Sequence, residues 1–428
     1  MLMNNDFLLP ITMKKKNGIW EIGGVSISYL AEKYGTPLYV LDKETLTNQA
    51  QNYINSWKKY SHIPFKVLFA VKALPVLEVI RIFDKEGLGF LVSTGGELFI
   101  TRKAGVNPKK IYFHGNAKSF KELEYAIDED IYAIIVDNFD EIEKIKFITN
   151  KKNKEINILV RIIPNIEADT HKSIRTGQRD TKFGLPIEDA LSLIISLKND
   201  PFIKLRGIHS HIGSQIFDLN VYVKLSDVLI EFGLELKKLG ILLEEISIGG
   251  GLGIAYTPQD LPPSIEDLAK YVSENFKEKF PHFFTLICEP GRSLVGRAGV
   301  TLYRVESRKS IANTRNYIAV DGGMSDNIRP SLYGAKYTAL LISNNEEKKL
   351  FRLVGKHCES GDILIQELEA IWPNLGDLVV IFSTGAYNFS MFNWYNAVLR
   401  PAVIMVENGK DYVVVEREKL EDLIRGQK

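Results

Sequence analysis

Short apolar runs recur along this chain at fairly regular intervals: Val67–Val71, Phe90–Ser93, Ile111–His114, Ala133–Val136, Ile158–Ile163, Leu205–His209, Glu245–Ile248 and Phe284–Cys288. Most are rich in β-branched or aromatic residues, the composition of strands. Between them lie segments with apolar residues at helical spacing, among them Val76–Asp84, Glu97–Ala104, Phe120–Asp128 and Asp140–Thr149. Strand and helix alternating over about 225 residues predict a parallel sheet. About eight such units fit a closed (β/α)8 barrel of the TIM type better than an open, doubly wound sheet, the alternative on pattern alone.

The rhythm stops on both sides of this region. Near the start, Lys16-Asn17-Gly18 reads as a turn between short strands. Past Pro290 the helical pattern fades, and Ala298–Val305, Tyr317–Val320, Leu350–Val354 and Leu378–Phe382 read as strands. Pro401–Val406 and Asp411–Val415 flank Glu407-Asn408-Gly409-Lys410, a strong hairpin signal. The expected organisation is therefore a barrel over 43–292, set within a β-rich sandwich-like or barrel-like domain built from 1–42 and 293–428. A length of 428 residues suits two domains.

Composition narrows the function. The chain is 45% hydrophobic and 25% charged with a formal charge of +1, an ordinary soluble balance with no basic excess for nucleic acid and no acidic tail. No stretch approaches the ~18 apolar residues of a membrane span. The opening MLMNNDFLLP has neither a charged leader region nor an apolar run of signal-peptide length, and the two cysteines, Cys288 and Cys358, are too few for a disulfide framework. A reducing cytoplasm is the expected setting.

Chemistry-bearing residues cluster where these runs end. Lys72 closes the first run, VLFAVKA. A buried lysine there would have a lowered pKa and act as a nucleophile toward aldehydes, in Schiff-base chemistry; the plainer reading is a surface lysine. Ser247-Ile248-Gly249-Gly250-Gly251-Leu252-Gly253 follows the seventh run. Consecutive glycines let backbone N–H groups approach an anion such as phosphate, or simply form a flexible turn. Cys288-Glu289-Pro290-Gly291-Arg292-Ser293 ends the eighth run. There a carboxylate can bond a protonated ring nitrogen and an arginine can grip a carboxylate or phosphate, unless the two only form a local salt bridge. In His209-Ser210-His211-Ile212-Gly213-Ser214, strand alternation is expected to turn at most one histidine toward the barrel mouth. His211 can stack on a flat ring or serve as a core histidine, and no further zinc ligands are suitably spaced. The C-terminal part adds Asp326–Tyr333, His357-Cys358-Glu359-Ser360 and Gly385-Ala386-Tyr387. Singly these read equally well as a loop charge at Arg329, packing at Tyr387 and a small buried hydrophobe at Cys358.

Taken in order, FAVKA, TGGEL (Thr94–Leu98), HGNAKS (His114–Ser119), TKFG (Thr181–Gly184), HSHIGS, GGGLG, EPGRS, CESGD (Cys358–Asp362) and GAY form a specific series. With it the chain resembles the fold-type III pyridoxal-phosphate decarboxylases, from about Gly35–Val40 to Leu399-Arg400-Pro401. CESGD and His171…Thr176-Gly177 match the branch acting on diaminopimelate rather than the ornithine or arginine branches. The resemblance implies a carboxy-lyase that uses pyridoxal 5'-phosphate to turn meso-2,6-diaminopimelate into L-lysine and CO2, the last step of lysine biosynthesis.

The same resemblance implies roles. Lys72 would hold the cofactor, Glu289 would keep its pyridine nitrogen protonated, and His211 would stack on its ring. Ser214, Gly249, Gly250 and Gly251, with the Gly291-Arg292 turn, would hold its phosphate, and Tyr387 would contact cofactor and substrate. Arg292, Arg329 and Tyr333 would bind the substrate's distal carboxylate and Glu359 its distal ammonium. Cys358 would donate the proton. Cys358 and Glu359 would reach across a homodimer interface. Four places depart from the family pattern: Leu74 replaces an asparagine, Leu91 an aspartate, Arg175 a small residue, and Phe392-Asn393-Trp394 is bulkier than usual. None removes a group with an assigned chemical role. The alternatives are a decarboxylase of another amino acid (ornithine- or arginine-type, or carrier-bound), a racemase on the same barrel, and a non-catalytic cofactor-binding barrel. The CESGD element favours decarboxylation.

Overall fold

The computed structural model describes residues 7–166, 181–280 and 284–428. The chain forms two compact units: Gln49–Gly253 with Pro262–Ser293, and Met1–Asn48 with Ile254–Leu261 and Leu294–Lys428.

The first unit is a closed barrel of eight parallel strands: Phe65–Ala70, Gly89–Val92, Ile111–Phe113, Ala133–Val136, Ile156–Arg161, Ile203–His209, Glu245–Ser247 and Thr285–Cys288. Each pairs with the next, and the last closes on the first through Leu286↔Phe65, Ile287↔Lys66 and Cys288↔Val67, which excludes the open sheet. Several strands stop one or two residues short of their apolar runs. The leftover residues, such as Ser93, His114 and Ile248, turn into the loops at the C-terminal end. Intervening helices start where side chains can cap exposed amides. Thr94 accepts from Glu97, Asn138 from Glu141 and Ser264 from Asp267, while Ser119 and Glu122 form a reciprocal capping box. Each cap stabilises by about 1 kcal/mol. The helix Leu77–Lys85 turns Val79, Ile80, Ile82 and Phe83 inward.

Leu68, Ala70, Leu91, Tyr112, Ala133, Ile135, Leu159 and Ile287 form one buried cluster contributed by the barrel strands. At the N-terminal end of the lumen, Glu245 Oε1 receives Lys66 Nζ at 2.5 Å, Tyr112 OH at 3.0 Å and Tyr132 OH at 2.8 Å. Further up, Lys118 and Glu141 form a buried ion pair at 2.7 Å. Lys118 Nζ also donates to the carbonyls of Gly115 and Ile135 at 2.7 and 2.9 Å, so all three of its protons are used.

The second unit is β-rich and draws on both chain ends. Leu38–Asp42 pairs antiparallel with Gly299–Ile311 and parallel with Ala402–Glu407 in a nine-stranded sheet. Side-chain alternation divides its core: Val300, Leu302 and Val380 join one cluster, Tyr303, Val305, Val379 and Ile381 another. Both hairpin expectations hold. Lys16 pairs with Ile19 around Asn17 and Gly18, and Glu407 pairs with Lys410 around Asn408 and Gly409, all four turn residues having positive φ. The reading missed Ile363–Ile371, an end strand of the sheet path. Its Glu367 and Glu369 are exposed, and charge on an edge strand blurs the apolar signature. Among the described residues no helix is long and apolar enough to cross a membrane.

Candidate active site

The barrel strands end in a ring of polar groups. Lys72 lies not on the first strand but on a single 3-10 turn, Val71–Ala73, just beyond it. Val71 and Ala73 are buried and Lys72 is exposed, which corrects the expectation of a buried, desolvated amine. The turn inserts its two apolar residues into the wall and leaves the lysine on the open side. The charge of Lys72 bears on Glu97, His114 and His211, groups that follow three other strands. Ala70 N–H donates to Pro290 O at 3.0 Å, and a Cβ on Gly291 would meet those of Ala70 and Ala73 at 3.2 Å. The lysine turn and the Glu289-Pro290-Gly291 turn are thus packed on one another.

Glu289, one residue past the last strand, is buried. His209 Nε2 lies 3.0 Å from its Oε2, and Ser247 Oγ donates to its Oε1 at 2.7 Å. Burial pushes the carboxyl's pKa up, but His209, the Ser247 hydroxyl and the charge of Arg161 outweigh this and hold it below 4.5. The product is a fixed carboxylate inside the barrel, a suitable partner for a protonated heterocyclic nitrogen.

Both histidines of the HSHIGS segment face this site, correcting the expectation that at most one would. His209 closes its strand and His211 lies two residues beyond it, yet the two interact electrostatically, and Lys72 and Arg161 also act on His211. Gly250 N–H donates to His211 Nδ1 at 3.2 Å. A backbone amide can only donate, so Nδ1 is the acceptor and Nε2 carries the proton in the neutral ring. Burial, then the charges of Lys72, Arg161 and His209, keep the His211 pKa well below 6.5.

The glycine loop is built for close approach. A Cβ on Gly249 would lie 2.6 Å from Ser210 O, on Gly250 2.1 Å from Glu289 O, and on Gly251 2.4 Å from Gly213 O. Two amides are engaged, Gly249 with Ser247 Oγ at 3.2 Å and Gly250 with His211, while Tyr222 OH donates to Gly250 O at 3.1 Å. Arg292, buried at the start of a short helix, donates to Ser214 Oγ at 3.0 Å. The guanidinium, the Ser214 hydroxyl and the Gly251 amide are the groups here that could hold an anion.

The remaining named residues belong to the β-rich unit. Arg329 is buried in the short helix Arg329–Tyr333, donates to Tyr337 OH, and lies 4.9 Å from the centre of the Tyr256 ring. Tyr333 is half-buried and Tyr387, also half-buried, has positive φ. Cys358 is exposed, unlike the buried Cys288, so it is no core hydrophobe. Its amide donates to Asn396 Oδ1 at 2.9 Å. Glu359 is exposed, with Tyr395 OH 3.5 Å from its Oε2.

Reading the residues missed Ser93, His114, Arg161, His209 and Ser247 as participants. Ser93 Oγ and His114 Nε2 are 2.8 Å apart, and burial followed by the charge of Lys72 lowers the His114 pKa well below 6.5. The available signal for four of them was a polar residue at or next to the end of an apolar run, whereas Arg161 lies within one. Among the departures, Leu74 is buried and Leu91 joins the lumen cluster. Arg175 and His171…Thr176-Gly177 lie outside the described residues. Phe392 and Asn393 are half-buried and Trp394 is exposed. Among the described residues no group of three or more His, Cys, Asp or Glu side chains could hold a metal ion.

Residues 47–296 match the family described as pyridoxal-dependent decarboxylase, pyridoxal binding domain. The chain is 42% identical over 437 residues to the diaminopimelate decarboxylase of Synechocystis sp., covering 98% of this chain and 93% of that one. It is 43% identical over 422 residues to that of Bacillus methanolicus, covering 96% of each. Among solved structures, the diaminopimelate decarboxylase of M. jannaschii in complex with L-lysine matches with a TM-score of 0.91 at 34% identity, covering 97% of this chain and 98% of that one. Barrel and kinship together define a pyridoxal-phosphate-dependent carboxy-lyase. Within that class the chain belongs to the diaminopimelate decarboxylase family. The mouth fits the cofactor: an exposed amine, an ionised buried carboxylate, a neutral imidazole, and a loop whose glycines leave no room for a Cβ.

Proposed function

We propose that this chain removes CO2 from meso-2,6-diaminopimelate to give L-lysine, as a cytoplasmic homodimer whose sites are completed by the partner chain. The observation that carries this reading is that the kinship spans the β-rich unit as well as the barrel, so Cys358 and Glu359 belong to the shared part.

Pyridoxal phosphate, when bound, supplies an electron-accepting ring for the pair left behind as CO2 departs. Lys72 would hold its aldehyde carbon through the ε-amine, and Glu289 would keep a proton on its ring nitrogen. His211 would lie against the ring as a neutral imidazole that neither repels that proton nor competes for it. Ser214, the glycine loop and the Gly291-Arg292 turn would anchor the phosphate, with Tyr387 contacting cofactor and substrate. At the substrate's far end, Arg292, Arg329 and Tyr333 take the distal carboxylate and Glu359 the distal ammonium. These remote contacts orient the bond that breaks. They also select against amino acids that lack a distal carboxylate, which would leave buried cations unpaired. Cys358 Sγ–H then delivers a proton to the α-carbon.

The test is a product assay with purified protein, pyridoxal phosphate and meso-diaminopimelate. One lysine per CO2 supports the assignment. Cofactor binding with no lysine formed would refute the substrate while leaving the cofactor site intact.

A further inference from the structure

Cys358 sits on an exposed loop, yet a proton donor must be held to within a fraction of an ångström of its target. Three neighbouring segments of the β-rich unit, 322–327, 355–362 and 392–397, are cross-linked by hydrogen bonds around that loop. At the centre is the buried Asp362 carboxylate. Its Oδ2 accepts from His357 N at 2.9 Å and lies 2.8 Å from His357 Nδ1, while its Oδ1 accepts from Met324 N at 2.7 Å. A Cβ on Gly355 would fall 2.2 Å from Asp362 Oδ2, and one on Gly323 2.5 Å from either oxygen, so the carboxylate is walled in. The third segment joins through Asn393, which donates from its amide to Ser325 O at 3.0 Å and from Nδ2 to Met324 O at 3.1 Å. It then reaches the cysteine itself, because Asn396 Oδ1 accepts from Cys358 N at 2.9 Å. Asn396 has φ +55°, a left-handed conformation that asparagine tolerates better than most residues. The Tyr395 ring stacks on His357 with the planes 12° apart.

We infer that Asp362 and Asn396 are positioning residues for Cys358: Asp362 fixes the residue before it from beneath, and Asn396 fixes its backbone amide from the side. This inference rests on the proton-donor reading of Cys358. Two consequences follow from hydrogen-bond chemistry. Every bond to Asp362 comes from an N–H, so an asparagine there must set its own NH2 against at least one donor. At Asn396, aspartate keeps the acceptor and tolerates the left-handed backbone, whereas alanine does neither.

The experiment compares Asp362→Asn, Asn396→Ala, Asn396→Asp and Cys358→Ala as holoenzymes. The inference expects kcat to fall about 10²-fold in Asp362→Asn and roughly 10-fold in Asn396→Ala, with KM and the absorbance of the bound cofactor unchanged. The solvent deuterium effect on kcat should rise in both, because proton delivery becomes slower. Asn396→Asp should return kcat to within about threefold of wild type, because it keeps the acceptor for the Cys358 amide. Asn396 is exposed, so this pair reports even if Asp362→Asn fails to fold. Wild-type kcat in Asn396→Ala, or an equal loss in Asn396→Asp, with Cys358→Ala inactive, would overturn the positioning role and leave the proton donor standing. Full turnover in Cys358→Ala would overturn both.

Discussion

The buried pair Lys118–Glu141 offers the sharpest test of the forces holding the barrel mouth. The side chains are 1% and 2% exposed, and Nζ is saturated by one carboxylate and two carbonyls. Glu141→Gln keeps the shape and removes the charge, so an ammonium is left buried without its counter-ion. Breaking a buried pair in this way costs about 3–5 kcal/mol. At roughly 2–4 °C per kcal/mol for a unit of this size, the melting temperature should fall by about 6–20 °C. Lys118→Met should cost a similar amount, because it strands the carboxylate. The double variant Lys118→Met/Glu141→Leu buries no charge. Its residual cost is the orphaned Gly115 and Ile135 carbonyls and the Asp137 amide that donates to Glu141 Oε2 at 3.2 Å. Each such group costs about 1–3 kcal/mol if left unmet. The assay is calorimetry or circular dichroism at saturating cofactor, with Lys118→Met and Glu141→Leu as the single variants of a double-mutant cycle. Favourable coupling of ~3 kcal/mol or more is expected. Single variants costing under ~1 kcal/mol, or a double variant as poor as the sum of the singles, would refute the argument.

Lys72→Ala should abolish the absorbance of lysine-linked cofactor while the fold survives, since Lys72 is exposed on a turn; a retained band would remove Lys72 from its role. Gly250→Ala should abolish cofactor binding or folding, because its Cβ would sit 2.1 Å from Glu289 O; normal titration with pyridoxal phosphate would contradict the close-approach account. The Glu289 carboxyl lies below its ordinary 4.5 in the folded state, so its contribution to stability is present above about 4.5 and is lost as pH falls through the lower folded value. Glu289→Gln should therefore show a shallower acid limb in stability against pH, checked by melting scans from about pH 6 downward.

Much of this fold is written in the chain's apolar rhythm. Parallel strands are covered on both faces, so Ala133–Val136 and its counterparts stand out as unbroken apolar segments. Lys72 and Glu289 were legible because each follows such a run immediately. Other features were hidden for definite reasons. Lys118 and Glu141 look like ordinary loop and helix-start charges, and only the fold buries them together. His209 was obscured because a residue at a strand end reads equally as core or site. Asp362 lies in a recognisable motif, but its three donors come from residues that pattern cannot bring together.

The closed base of the barrel bears on traffic. Lys66, Tyr112, Tyr132 and Glu245 bond across the lumen's lower end beneath the packed side chains of Leu68, Leu91 and Leu159. Nothing passes through the barrel from end to end. Substrate and amine product must therefore both come and go on the side of the strands' C-terminal ends, where the catalytic groups stand, and the opposite end of the barrel is free to serve stability alone.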